Sequence, residues 1–346
     1  MNNIYQFDNA GLKNEFKQLG IPAFRAKQVW EWLYTKGCAD FESMTNLPKQ
    51  LRHQLSEQFH LGSLELATEQ VSKDGTQKRV YRLPDGQLIE SVLMPYADGR
   101  RTACISSQAG CAMRCSFCAT GQMGFARHLS TEEIFEQALI FAQELKQDEQ
   151  RLSNVVLMGM GEPFHNYDSV IAAIRLLMER LGIGARRITV STVGLVPKIR
   201  AFTKEGLQVK LAISLHATKN ELRTAMMPVN NRYPIEELID ACRDYVAVSR
   251  RRITFEWALI AGQNDSPAQA HELGRLLKGL MCHVNVIPLN PTAGFEGAPT
   301  AAPAAAQFIE VLSHYGIPGT VRVRRGIDID AGCGQLKSKV LRRNAK

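Results

Sequence analysis

Residues 104–118 read CISSQAGCAMRCSFC. Four of the chain's 8 cysteines fall in this stretch, and three of them, Cys111, Cys115 and Cys118, are spaced C-x3-C-x2-C. Three thiolates on one short loop hold three corners of a cuboidal [4Fe–4S] cluster and leave the fourth iron without a protein ligand, open to a substrate. A structural zinc needs four ligands and favours separated C-x2-C knuckles, and a redox pair made of Cys115 and Cys118 leaves Cys111 unexplained. The loop therefore predicts a cluster, one per chain.

Outward from the loop, short β-branched runs alternate with helical stretches. TACISSQ is followed by NVVLMGMG, RITVSTVG, QVKLAISLH, RITFEWALIAG and HVNVIPLNP, with helices expected near 130–147, 168–181, 196–205, 235–248 and 267–280. The alternation indicates parallel βα units wound one way. Six units are too few for a closed eight-stranded barrel, so the fold expected is α/β, a partial (β/α)6 TIM-like barrel; a doubly wound open sheet stays open from pattern alone. Segment 302–325 adds one helix and a strand, TVRVRR. Ahead of the barrel, residues 8–60 carry apolar residues at helical spacing, and 64–96 read as strands with a Pro84-Asp85-Gly86 hairpin turn. Two domains are expected: 1–97, a small helical α+β accessory module, and 98–346, the barrel with its C-terminal extension.

Composition narrows the class. With 346 residues, 45% of them hydrophobic, the chain can bury a barrel-sized core. Its start lacks the layout of a signal peptide and no apolar run approaches a bilayer span, so a cytoplasmic protein without membrane contact is expected. Clustered cysteines do not suit a secreted disulfide framework. The net charge of +8 permits a polyanionic partner without requiring one.

In βα barrels the active site lies at the carboxyl ends of the strands. Those ends deliver, in order, the cysteine loop, Gly159-Met160-Gly161-Glu162-Pro163, Ser191-Thr192, Ser214-Leu215-His216 and Asn290-Pro291. Polar and glycine residues follow nearly every apolar strand, where a structural barrel would need only turns.

C-x3-C-x2-C after a first strand, Phe117 before the third cysteine and a Gly-Glu turn after the second strand resemble the radical S-adenosylmethionine (SAM) superfamily. Within it, CISSQAGCAMRCSFCATGQMGF, MGMGEP, STVG, AISLHA, MPVNNRYP, PLNPT and GIDIDAGCGQL are similar to the RNA adenine methyltransferases of the RlmN/Cfr family, over nearly the whole chain. The resemblance implies that Cys111, Cys115 and Cys118 hold the cluster, and that Gly161, Glu162, Ser191, Ser214, Leu215, His216 and Asn290 form the SAM pocket. It implies Cys333 as methyl carrier, since C2 of adenine is electron-poor and cannot attack the methyl of SAM by polar displacement. Two SAM molecules serve each turnover: one methylates Cys333, and a second yields the radical that takes hydrogen from that methyl group. A covalent adduct with adenine C2 follows. Its resolution uses Cys104 as disulfide partner and Glu90 as proton acceptor.

The same resemblance implies 23S ribosomal RNA as substrate, with tRNA next to the anticodon for some members, an electron donor of flavodoxin or ferredoxin type, and a monomer. The GEP turn and PLNPT favour methylation at C2; the alternative is the resistance-type C8 enzyme. The N-terminal module is expected to bind RNA, and GARRIT (184–189), SRRRIT (249–254), VRVRRG (321–326) and KSKVLRRNAK (337–346) are candidates for phosphate contact. Cys38, Cys242 and Cys282 read as small buried apolar residues.

Overall fold

The computed structural model describes residues 1–337. Ten strands form one sheet: β1 (Glu65–Val71), β2 (Gln77–Arg82), β3 (Leu88–Pro95), β4 (Arg101–Cys104), β5 (Asn154–Leu157), β6 (Ile188–Thr192), β7 (Lys210–Ser214), β8 (Ile253–Leu259), β9 (Cys282–Pro288) and β10 (Gly319–Val321). They stand side by side in chain order. β4 to β10 are parallel, and β1 to β3 continue the sheet as an antiparallel meander. A doubly wound sheet reverses its strand order at a switch point, and no reversal occurs here. This is the partial barrel.

Six helices cross back between the parallel strands: α4 (Thr131–Gln147), α5 (Tyr167–Arg180), α6 (Val196–Lys204), α7 (Ile235–Ser249), α8 (Pro267–Leu277) and α9 (Ala302–Ser313). Their boundaries follow local chemistry. Ser130 and Glu133 form a reciprocal capping box on α4, and Ser266 with Gln269 does the same on α8, where Pro267 occupies the first turn. The apolar strand residues Val155, Val190, Leu211, Phe255 and Val284 are fully buried beneath these helices. Among the described residues, no helix is long and apolar enough to cross a membrane.

The N-terminal helices are α1 (Asn9–Gln18), α2 (Phe24–Trp30), which runs on as a wider turn through Glu31–Lys36, and α3 (Lys49–Gln58). They close a small core around Phe16, Val29, Leu55 and Phe59. Arg180 at the end of α5 anchors them to the barrel: its guanidinium donates to Tyr5 O and Phe7 O, both at 2.7 Å, and to the Tyr34 hydroxyl at 2.9 Å. The sheet itself runs across the expected boundary at residue 97, because Val92 pairs with Cys104 and Leu93 with Ala103.

The strand expected over TVRVRR is shorter than its sequence pattern. Only Gly319–Val321 is strand, because the backbone N–H of Arg322 makes one last bond to Val286 O at 2.8 Å and the chain then turns away. Two further features escape the periodicity: an antiparallel pair, Gln108–Gly110 with Phe125–His128, and the short helices Ala119–Met123 and Asn220–Met226. All three flank the cysteine loop.

Candidate active site

The strand pair at 108–110 and 125–128 clamps the two ends of the cysteine loop, and Cys111 N–H donates to Gly124 O at 2.7 Å. Inside the loop the backbone is close-packed. A Cβ at Gly121 would lie 2.9 Å from both the N and the O of Cys115, so only glycine lets the short helix sit against the second cysteine. Ser116 N–H donates to Met226 O at 2.9 Å and Ala119 N–H to Gly334 O at 2.7 Å. The second of these bonds ties the cysteine loop to the segment that carries Cys333.

Cys111 and Cys115 are buried and Cys118 is half-buried. Burial pushes the Cys111 thiol up to about 12 and the Cys115 thiol well above its ordinary value, where the neighbouring thiols and Glu162 act in the same direction and Arg223 opposes them. Thiols held this way become thiolates only when a metal takes the proton's place. Among the described residues no three His, Cys, Asp or Glu side chains converge on a single-ion site. Three thiols on one clamped loop, two of them on the cleft wall, are the donor set that a cuboidal cluster with one open iron takes.

The carboxyl ends of β5 to β9 bring Gly161, Glu162, Ser191, Ser214, His216 and Asn290 to the wall of one cleft of about 960 Å³, which Cys115, Cys118 and Cys333 also line. Gly161 takes φ +101°, and a Cβ there would strike Gln108 at 2.6 to 2.8 Å. The Gln108 side chain in turn accepts Glu162 N–H at 2.8 Å. The Glu162 carboxylate bridges two strand ends, accepting from Phe164 N–H at 2.9 Å and from Val193 N–H at 2.8 Å. Burial raises its pKa to about 7 against those hydrogen bonds.

His216 sits at φ 60°, a strained conformation for a residue with a side chain. Its Nδ1 accepts Ala258 N–H at 2.9 Å and its ring meets Phe117 edge-on at 4.9 Å. Burial, reinforced by Arg223, lowers its pKa to about 3, so at neutral pH it is a neutral, fixed ring that positions and does not move protons. Asn290 Nδ2 donates to Cys333 O at 3.1 Å, while its Oδ1 is buried without a hydrogen-bond partner among the described residues. A buried acceptor left in that state calls for a donor on a bound molecule, and the ammonium of SAM is one. The Leu215 side chain lies in the core; its N–H donates to Glu256 O and its C=O accepts from Arg223 Nε, both at 3.1 Å.

Cys333 is exposed and lies where the cleft meets a second cavity of about 570 Å³ that also contains Cys104. Burial raises the Cys104 thiol to about 12, with Cys333 adding to the effect. Cys333 is raised too, by the protein packed around its site, with Arg322 opposing. Glu90 shares its sheet face with Val92, the register partner of Cys104, and its Oε2 accepts Lys337 N–H at 3.2 Å. It lies behind the cavity wall and lines neither space.

Arg223 has no signal in the sequence that distinguishes it from a surface arginine. Fully buried, it donates to Val193 O at 2.7 Å, Ser214 O at 3.1 Å and Asn230 Oδ1 at 2.9 Å, and so fixes the ends of β6 and β7. The basic segments divide. GARRIT and SRRRIT precede β6 and β8, at the end of the barrel opposite the cleft, whereas VRVRRG supplies Arg322, Arg324 and Arg325 to the thiol cavity. Beyond Lys337, KSKVLRRNAK lies outside the described residues.

Replacing Glu162 with alanine leaves two buried N–H groups unpaired, an expected loss of about 2–4 kcal/mol measurable by urea unfolding of the cofactor-free protein. A pH series adds a signed test. The folded pKa of about 7 lies above the ordinary 4.5, so the contribution of Glu162 to stability is complete below pH 4.5, declines as pH rises to about 7 and then levels off. Glu162→Gln, which cannot ionise, will lack that decline.

Comparison with known proteins places this architecture. Residues 105–273 match the model of the Radical SAM superfamily, and residues 2–61 match that of the Ribosomal RNA large subunit methyltransferase N-terminal domain. Dual-specificity RNA methyltransferase RlmN 1 of Myxococcus xanthus is 48% identical over 347 residues, covering 99% of this chain and 96% of that protein. A probable dual-specificity RNA methyltransferase RlmN of Geobacillus thermodenitrificans is 45% identical, with 97% and 93% covered. The crystal structure of a radical SAM methyltransferase from Sphaerobacter thermophilus, 47% identical, superposes with a TM-score of 0.94 over 97% of this chain and 99% of that one.

Proposed function

The chain belongs to the RlmN family of radical SAM methyltransferases, and from that premise we propose that it methylates C2 of one adenine in 23S ribosomal RNA, and the adenine 3′ of the anticodon in tRNA, with Cys333 as methyl carrier. The observation that carries this reading is the position of Cys333: one thiol shared between a cleft walled by two of the cluster cysteines, Cys115 and Cys118, and a cavity that a second thiol, Cys104, also lines. A carrier must meet the methyl source on one side and the acceptor base on the other. Residues 1–97 serve in this proposal as the module that grips RNA, supported by the family match over 2–61. A monomer in the cytoplasm, reduced by a flavodoxin- or ferredoxin-type donor, completes the reading.

When bound, the cluster and SAM supply one-electron cleavage of a sulfonium and so a hydrogen-abstracting radical. Cys111, Cys115 and Cys118 would hold the metal, and Glu162, Asn290 and the ends of β6 and β7 would orient SAM. Cys333 Sγ accepts a methyl group by displacement and loses a hydrogen atom from it, and the carbon then bonds to adenine C2. Loss of the C2 proton, and of one electron that would return to the cluster, restores the aromatic ring; Glu90, expected as the proton acceptor, lies behind the cavity wall and does not face the base directly. The Cys104 thiolate then attacks Cys333 Sγ: the new S–S bond displaces the methylene carbon, which takes a proton and leaves as the product methyl group.

The direct test is to incubate reconstituted protein with SAM, a reductant and RNA from a strain lacking the gene, followed by nucleoside mass spectrometry. The expected product is 2-methyladenosine. Either 8-methyladenosine alone or no methylated adenosine would overturn the proposal.

A further inference from the structure

Arg322 lines the cavity shared by Cys104 and Cys333. Its backbone is fixed by the N–H bond to Val286 O, so the side chain enters the cavity from a rigid strand end. Among the described residues the guanidinium makes one side-chain hydrogen bond, from Nη1 to Met158 Sδ at 3.8 Å, a weak contact with a poor acceptor. Burial works against its charge, but Cys333 and Glu256 outweigh that and hold it firmly cationic. A planar fork of five N–H donors that faces a solvent-open cavity, with one thioether partner among the described residues, is matched by an acceptor on a ligand.

The remaining walls describe that ligand. Val92, Met94 and Ile287 are apolar, and the Tyr96 ring stands beside them with the Arg325 guanidinium 4.3 Å from its centroid. Arg324 and Arg325 line the same cavity, and apolar and aromatic walls with the Arg322 guanidinium held among them suit a flat heterocycle carrying ring-nitrogen acceptors. Adenine has three such nitrogens, N1, N3 and N7, and C2 lies between the first two. C8 lies beside N7.

We propose that Arg322 is a positioning residue for the substrate base: its guanidinium donates to a ring nitrogen flanking C2, N1 or N3, and thereby turns C2 toward the sulfur of Cys333. This rests on the methyltransferase reading above and adds the group that selects C2 over C8. The charge has a second effect. A cation hydrogen-bonded beside C2 makes that carbon more electron-poor, and so more receptive to a carbon radical made electron-rich by its attached sulfur. Arg322 therefore acts on kcat as well as on KM.

The experiment compares wild type, Arg322→Lys and Arg322→Gln on RNA oligonucleotides carrying adenosine, 1-deazaadenosine, 3-deazaadenosine or 7-deazaadenosine at the target position. On adenosine, Arg322→Gln should lose roughly 10- to 100-fold in kcat/KM, the scale of one charge-assisted hydrogen bond, and Arg322→Lys should recover part of it. The loss should vanish on one of the 1-deaza and 3-deaza substrates, where the accepting nitrogen is already gone, and persist on the 7-deaza control. Cys333 should still be found methylated in Arg322→Gln, which separates loss of base positioning from loss of fold or of SAM use. A mutant-to-wild-type ratio equal on all four substrates overturns the proposal, as does full activity of Arg322→Gln. Failure of the wild type to methylate adenosine at C2 would instead overturn the underlying reading.

Discussion

Cys333→Ala will abolish RNA methylation, by on the order of 10⁴-fold or more, the scale on which the nucleophile of a covalent catalyst counts, while leaving the protein folded and its cluster in place. The structure separates these effects. Cys333 is exposed and its backbone carbonyl, not its sulfur, is the group bonded to Asn290. An exposed side chain that supports no packing changes stability by no more than about 0.5 kcal/mol on removal. The cysteine loop is held by backbone bonds from Cys111 to Gly124, from Ser116 to Met226 and from Ala119 to Gly334, none of which uses the Cys333 side chain. Nucleoside mass spectrometry alongside visible absorption and thermal unfolding checks the claim. An unchanged spectrum and melting temperature with no methylated adenosine is the expected result; residual methylation within tenfold of wild type would remove Cys333 from the mechanism.

Cys104→Ala has the opposite signature, because it removes a later step. The carbon–sulfur bond to adenine can form, but no thiol remains in that cavity to displace it, so a covalent protein–RNA adduct will accumulate and appear as a shifted band in a denaturing gel. The double substitution Cys104→Ala with Cys333→Ala will give no adduct. In the wild type, burial holds the Cys104 thiol near 12. Its thiolate fraction therefore rises about tenfold per pH unit through the neutral range, and adduct decay should accelerate accordingly between pH 6 and pH 8. An adduct that decays at the same rate in Cys104→Ala as in wild type would assign resolution to another group.

Much of this site was legible because its chemistry is local in sequence. The three cluster cysteines lie within eight residues, and the pocket residues follow strands whose β-branched runs announce them. Sequential βα alternation led to the partial barrel, and the observed strand order explains why: each unit packs beside the last. What escaped is what depends on distance. Arg223 becomes a buried clamp only because Val193 and Ser214 end on adjacent strands, and Gln108 matters only because the Gly161 turn folds onto it. Nothing in VRVRRG distinguishes Arg322, which is half-buried at the thiol cavity, from Arg324, which lines the same cavity but is exposed. The alternation in TVRVRR read as strand, but after the Arg322 N–H bond to Val286 O the chain turns away from β9 and the ladder stops.

The claim on which the rest depends is that the methyl group travels through a thioether on Cys333 and loses a hydrogen there. It is tested most directly by running many turnovers with SAM carrying a fully deuterated methyl group and weighing the methyladenosine produced. Passage through Cys333 predicts a product with two deuteriums, the third replaced by a solvent proton. A product retaining all three would mean direct transfer from SAM to the base, and would contradict the account.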